Sequence, residues 1–337
     1  MRNSVIHLVD DNSFGGVSRL LENLEQSSNG PATDSHKIQF VKRGQTKSPK
    51  IQADVIVSHM SACWTNLQFF TSLRASHPET AIVHVEHSYS QRFVALNVTN
   101  GPRFDDLLRI TYSLFDKVVA VSVTQAVWLL RRRYCLAEQL VTIPSCVKLK
   151  SFFDVRDIRP QGILTVGAIG RLHEQKGFDI LVKAFSKLGP QNIQLCLIGD
   201  GPEKVGLMEL ANGNPRIIFS GVTNSVAEKV AECHVIAMPS RWEPYGLVAL
   251  EAMAANRPVI CSNVDGLLDH IANGAFAVPQ NTVEGWVSVL ETLNMDCIAM
   301  KFSRSTDVTA AEDNFIKAWN TLTQQLAHKE NGNQKAA

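Results

Sequence analysis

Short runs rich in Val and Ile alternate with helix-patterned segments along almost the whole chain, and this alternation narrows the available folds most. In the first half the strand candidates are SVIHLVD (4–10), ADVIVSH (53–59), AIVHVEH (81–87), KVVAVS (117–122) and QLVTIPS (139–145). Between them lie GVSRLLENLE, WTNLQFFTSLRA, DLLRITYSLF and TQAVWLLRRRY, with apolar residues three or four apart. Strands apolar throughout, separated by helices, specify a parallel sheet covered on both faces. The second half repeats the scheme in GILTVGAIG (162–170), IQLCLIGDG (193–201), RIIFSG (216–221), HVIAMPS (234–240) and RPVICSN (257–263). Its helix DILVKAFSKLG puts Ile180, Leu181, Ala184, Phe185 and Leu188 on one face.

The chain therefore reads as α/β, with two doubly wound domains in series, 1–150 and 151–309, linked through KLKSFFDVRDIRPQG (148–162). At 337 residues it exceeds one ordinary core, which also favours two domains. A last helix is expected over 310–329, with Phe315, Trp319, Leu322 and Leu326 in one stripe that needs a surface to cover. Residues 330–337 are expected to fray.

Composition removes several classes. No apolar run approaches the roughly 18 residues of a membrane span. The first apolar run meets Asp10 and Asp11 at once, as a strand does and a signal peptide does not. Seven cysteines, at 63, 135, 146, 196, 233, 261 and 297, include no C-x-x-C pair. They read as buried reduced thiols of a cytoplasmic protein. Residues 1–150 carry 17 Lys+Arg against 12 Asp+Glu, so +5; the remainder carries 16 against 20, so −4. The mildly basic half suits either anionic lipid or plain solvation, and no nucleic-acid signal accompanies it. LLRRRY (129–134) leaves the same alternatives: peripheral contact with the inner membrane face, or a solvated helix end.

Open α/β sheets bind ligands beyond the carboxyl ends of their strands, so the loops after the strands carry the chemistry. GAIGRLHEQKGFD (167–179) has Gly167 and Gly170 for backbone room, and Arg171 and Lys176 as two cations before a helix. A diphosphate needs that combination. IGDGPE (198–203) reads as a tight turn. Gly15 and Gly16 open a helix after the first strand, serving either a close ligand approach or a turn needing positive φ. RWEPYGLVALEAMA (241–254) carries Glu243 in the loop and Glu251 about one turn into the helix. A carboxylate accepts two hydrogen bonds from a vicinal diol, so each glutamate suits a pair of sugar hydroxyls. The amides of Gly246, Leu247 and Val248 face the same region at a positive helix end.

GRL-x3-KG, IGDGPE and PSRWEPYGLVALEAMA resemble the retaining nucleotide-sugar transferases of the glycosyl transferases group 1 family, family 4. The resemblance covers nearly the whole chain and is densest over 162–262. It implies a GT-B fold, two Rossmann-like domains facing across a cleft, with the C-terminal helix packing back toward the N-terminal, acceptor-side domain. It implies a hexosyltransferase that uses a UDP-, GDP- or ADP-linked sugar and a glycan or lipid-linked acceptor, in surface polysaccharide biosynthesis. No cofactor and no metal are implied, and no Asp-x-Asp stands at a strand end.

By the same resemblance Arg171 and Lys176 hold the diphosphate, with Gly170 beside them. Glu251 binds ribose, Glu243 binds the transferred sugar, and Tyr245 to Val248 line the site. Gly15 and Gly16 face the donor, and the base lies over the loop beginning at Gly221 and Val222. His87 takes the place where relatives carry a His or Asp near the transferred sugar; His59 and His84 read as structural.

Two stretches depart from the family pattern. Ser145, Cys146 and Lys148 replace P-N-G-V-D near the domain junction, and Asp269 in VDGLLDH stands where Glu is usual. Two rival readings keep the fold: a nucleotide-sugar 2-epimerase, and a non-catalytic nucleotide-sugar-binding subunit. A dinucleotide oxidoreductase is disfavoured, since no G-x-G-x-x-G follows the first strand.

Overall fold

The structure, a computed structural model, describes residues 2–11, 13, 15–28, 33–156, 162–189, 191–294 and 306–333, with 306 and 328–333 described for the backbone alone. Its internal contacts divide the chain into two compact units, Met1–Lys148 with Ala311–Ala337, and Leu149–Ala310.

In the first unit six parallel strands, β1 (Ser4–Val9), β2 (Ser35–Phe40), β3 (Val55–Ser58), β4 (Ala81–Glu86), β5 (Lys117–Ala120) and β6 (Leu140–Thr142), lie in the order β2-β1-β3-β4-β5-β6. Helices α1 (Gly16–Ser27), α2 (Trp64–Ser76), α3 (Gln91–Asn97), α4 (Gly101–Ser113) and α5 (Val123–Arg131) connect them. Every residue of β4 is buried, His84 and Glu86 included, as the continuous apolar run demanded.

The second unit begins with a single turn, α6 (Lys150–Phe153). Its strands are β7 (Leu164–Ile169), β8 (Ile193–Ile198), β9 (Ile217–Gly221), β10 (Val235–Met238), β11 (Val259–Ser262) and β12 (Phe276–Val278). They are parallel and ordered β12-β11-β10-β7-β8-β9. Helices α7 (Phe178–Lys187), α8 (Lys204–Ala211), α9 (Val226–Ala231), α10 (Leu247–Ala254), α11 (Leu267–Ala272), α12 (Val283–Glu291) and α13 (Thr306–Thr309) follow in chain order. One face of α7 (Phe178, Leu181, Phe185) packs with Trp286 of α12 into the core over β7 and β8. Full burial of such side chains contributes about 1.5–3 kcal/mol each.

The last helix, α14 (Ala311–Asn333), belongs to the first unit. Phe315, Trp319, Leu322 and Leu326 are all at most 5% exposed, so the stripe found its surface. Thr323 hydroxyl donates to the Asp34 carboxylate, and the Trp319 ring meets the His7 ring edge-on at 5.7 Å. The helix runs as far as Asn333; residues 334–337 lie outside the described residues.

Edge strands β2 and β12 and helix α3 escaped the sequence reading. SHKIQF buries only His36, FAV is three residues long, and α3 buries no side chain. None of them has the apolar run or stripe that marks the other elements. The six described cysteines are free, but Cys63 and Cys135 are half-buried rather than buried; Cys297 lies outside the described residues.

Candidate functional site

In each sheet the chain winds one way and then the other, and the crevice at that reversal is where ligands bind in open α/β folds. The reversal falls between β7 and β10 in the second unit and between β1 and β3 in the first. The loops at these two places hold most of the candidate residues.

In the second unit the loop Gly170–Gly177 leaves β7, with one turn of 3-10 helix at Glu174–Lys176, and Pro239–Gly246 leaves β10. Arg241 staples them together. Its backbone N–H donates to Gln175 O at 2.8 Å, and its guanidinium donates to Glu174 O at 2.8 Å. The two terminal nitrogens also donate to both Asp179 oxygens, at 2.8 and 2.9 Å. Burial pushes Asp179 up, but Arg241 and Lys183 outweigh it and hold the carboxyl below its ordinary range. Close approach is possible because residue 177 is glycine, at φ +64°; a Cβ there would lie 2.1 Å from Pro239 O.

Glu243, two residues after Arg241, is 7% exposed. Its Oε2 accepts from Lys176 Nζ at 2.5 Å and from Ser240 Oγ at 3.2 Å. Its carbonyl accepts from Gly266 N at 2.9 Å, and its amide donates to Asp265. Gly246 caps α10 at φ +94° without any side-chain hydrogen bond, so the first-turn amides have no side-chain cap. Tyr245 packs on the His270 ring at 4.6 Å. Lys176, Glu243, Gly170 and Gly246 are thus brought together: a Cβ on Gly170 would touch Lys176 Cε at 3.3 Å, and one on Gly246 would touch Glu243 Cγ at 3.3 Å.

Other candidates stand differently. Arg171 is exposed, and among the described residues it has no ion-pair partner. Glu251, expected at the ribose hydroxyls, is fully buried. Gly167 fills against Cys233, whose Sγ would lie 2.4 Å from an added Cβ, so its missing side chain serves packing rather than a phosphate. Gly199 and Gly201 press on Gly170 O and Leu172 O, as a tight turn requires. Gly221 ends β9, two strands over from β7, and the 71%-exposed Val222 follows it.

In the first unit a cavity of about 670 Å³ opens over β1 and β3. It is lined by Asp10, Asp11, Gly15 and Gly16 on one side and by His59 and His87 on the other. Gly15 is extended at φ −169° and Gly16 is the first helical residue, so the glycine pair answers no need for positive φ. Ser18 Oγ accepts from Gly15 N at 2.9 Å.

The loop carrying His87 is pinned by Glu86, whose buried carboxylate accepts from Ser88 N (2.7 Å), Tyr89 N (2.9 Å) and Tyr112 OH (2.7 Å). Burial pushes Glu86 up, but His84 and these donors outweigh it and keep the group below its ordinary range.

His87 is also the end of a file of four imidazoles. His87 Nε2 lies 2.8 Å from His59 Nδ1, His59 Nε2 lies 2.8 Å from His7 Nδ1, and His7 Nε2 lies 2.9 Å from His36 Nδ1. Ring centroids are 5.1 Å apart at every step. Burial lowers all four, His36 and His87 to about 4 and His7 and His59 well below the usual histidine range. The rings are neutral near pH 7. The sequence reading missed His7 and His36 and took His59 as structural, although it lines the cavity. Strand order is the signal that would have found the file, and unrecognised β2 hid it.

The LLRRRY stretch closes α5. Trp128 and Leu129 are buried, and Arg132 reaches both Asp105 oxygens, at 2.9 and 2.6 Å. No described helix is long and apolar enough to cross a membrane.

Comparison with known proteins places the motifs. Residues 163–296 match the family model described as Glycosyl transferases group 1, and that segment belongs to the family its motifs pointed to. An uncharacterized glycosyltransferase of Methanocaldococcus jannaschii is 36% identical over 122 residues, 34% of this chain and 31% of the relative. Granule-bound starch synthase 1 of Pisum sativum is 37% identical over 114 residues, 32% of this chain and 19% of the relative. The matches span about a third or less of these relatives. Among solved structures, sucrose-phosphate synthase from Thermosynechococcus elongatus superposes with TM-score 0.72 at 21% identity, covering 100% of both chains. Anabaena HepE in complex with UDP superposes with TM-score 0.65 at 16% identity, covering 99% of this chain and 100% of that one. The fold is GT-B, an α/β fold with two parallel six-stranded sheets.

Proposed function

We propose, for a chain whose residues 163–296 are a glycosyl transferases group 1 segment, that it transfers a hexosyl group from a nucleoside-diphosphate sugar to a glycan or lipid-linked acceptor. The observation that carries this reading is the Lys176–Glu243 pair, 2.5 Å apart, under two loops stapled by Arg241. An ammonium and a carboxylate side by side suit a ligand with a phosphate next to a polyol.

In this reading Arg171 and Lys176 neutralise the charge that grows on the departing diphosphate, with the first-turn amides of α10 adding to the field. Glu243 accepts from hydroxyls of the transferred sugar. The bond from the anomeric carbon to the diphosphate oxygen breaks, and the acceptor oxygen bonds to that carbon from the same face. The acceptor's proton passes to the departing phosphate oxygen, so configuration is retained and no metal ion is needed. The acceptor occupies the first unit's cavity beside His87. Glucose is the first sugar to test, because starch and glycogen synthases are among the relatives. The work is assigned to the cytoplasm, in keeping with six free described cysteines, and to surface polysaccharide assembly.

The test is a panel of UDP-, GDP- and ADP-hexoses with oligosaccharide and lipid-linked acceptors, read by nucleotide release and by the anomeric configuration of the product. One donor turning over to a retained linkage, and losing turnover in Glu243→Gln, supports the reading. Turnover that Glu243→Gln leaves unchanged contradicts it, as does isomerisation of the free donor sugar without an acceptor.

A further inference from the structure

The four histidines come from neighbouring places on one sheet: His36 from β2, His7 from β1, His59 just past β3 and His87 just past β4. Each of the three contacts between them joins an Nε2 to an Nδ1. A neutral imidazole has one N–H and one bare nitrogen, and a ring-to-ring hydrogen bond needs one proton between its two nitrogens. Four neutral rings carry four protons, and three contacts use three of them. The fourth sits at one end of the file, on His36 Nε2 or on His87 Nδ1. Any other distribution leaves a buried contact with two protons or none, which costs the full desolvation of the groups involved. The file therefore has two fully bonded states, and the tautomer of every ring is tied to that of the others.

The surroundings distinguish the two states. Asp34, two residues before His36, carries the largest charge acting on it, ahead of the opposing Arg2. The Asp34 carboxylate accepts from Asn3 N and Thr323 Oγ1, which leaves lone pairs to attract a proton on His36. At the other end Glu86 acts on His87, but Ser88 N, Tyr89 N, Tyr112 OH and His84 already meet its oxygens. The Trp319 ring packs on His7 and brings no charge.

We propose that His36, His7 and His59 are positioning residues that hold the fourth proton at His36 Nε2, so that His87 offers a bare Nδ1 in the cavity as a proton acceptor. All four rings then carry Nε2–H, and those of His87, His59 and His7 each donate to the next ring toward His36. His7 and His36 do not line the cavity, so they act on it only through His59 and His87. As a role in catalysis this rests on the transfer reaction proposed above, with the cavity as the acceptor's place; as a statement about tautomers it does not.

The test is long-range proton–nitrogen NMR of the full chain with labelled histidines, together with His36→Phe and His7→Phe. The wild-type protein is expected to show four neutral rings at pH 7, all protonated at Nε2. Phenylalanine at either position removes the acceptor for the next ring's Nε2–H. A buried N–H without a partner is disfavoured, so the remaining protons shift to Nδ1, and His87 becomes an Nδ1–H donor. In an active enzyme kcat then falls on the order of 10-fold, the scale of removing an imidazole's orienting partner, while the donor KM holds. A wild-type spectrum with His87 protonated at Nδ1, with mixed tautomers along the file, or with a charged ring at pH 7 overturns the proposal. So does an unchanged His87 in a folded variant. Should both variants fail to fold, the wild-type spectrum still decides. The expected spectrum in a protein that transfers no sugar would leave the tautomer assignment standing and sink the proposed reaction instead.

Discussion

Lys176 is the residue on which most of the site's chemistry converges. Its side chain is 18% exposed and the side chain of its partner Glu243 is 9% exposed, so neither charge is well solvated. Removing one partner of such a pair leaves the other uncompensated. Lys176→Met is predicted to lower the unfolding free energy by about 3 kcal/mol, read from the urea midpoint, and donor turnover by on the order of 100-fold. A variant as stable as the parent would show that the pair is not formed in solution. The histidines make a second residue-scale prediction. Burial holds His36, His87 and His270 at about 4, against 6.5 for an unperturbed histidine. Between those values the unfolded chain binds more protons than the folded one, so stability rises with pH through this window. The melting temperature is therefore expected to fall as the pH is lowered from about 6.5 to about 4. A flat profile there would mean that these rings are not buried neutral.

At the scale of elements, the site depends on two loops pressed together and the first unit depends on a helix from the far end of the chain. Gly177→Ala puts a Cβ 2.1 Å from Pro239 O at φ +64°, and is predicted to destabilise by more than about 1 kcal/mol and to weaken donor binding. Trp319, 1% exposed, seats α14 on the first unit. Trp319→Ala is predicted to cost about 3–5 kcal/mol, measured by denaturant unfolding. A cost below about 1 kcal/mol would mean that α14 is not docked there.

Which elements were legible follows from the same physics. Buried parallel strands such as AIVHVE and stripes such as Phe315/Trp319 announce themselves through apolar periodicity. Edge strand SHKIQF buries one face partially and α3 buries nothing, so neither leaves a periodic trace. In the site, Lys176 and Glu243 were legible because loop position after a strand, charge and spacing coincide. Their direct pairing was not, because it depends on how the loops after β7 and β10, neighbours in the sheet but distant in sequence, meet; nor was the burial of Glu251. The histidine file was hidden for a related reason: it appears only when strand order is known.

For the whole molecule, two doubly wound sheets put a reversal point at each candidate pocket, and the second unit's reversal point carries the motif-bearing loops. The central claim is that this place grips a nucleoside diphosphate through Lys176. Calorimetric titration of UDP, GDP and ADP into the wild-type chain and into Lys176→Met addresses it most directly. One nucleotide is predicted to bind the wild type, and at 100 times its dissociation constant to stabilise it by about 2.7 kcal/mol. The variant is predicted to bind it at least about 10-fold more weakly, a loss of about 1.4 kcal/mol. Binding of none of the three, or equal affinity in the two proteins, would contradict the claim.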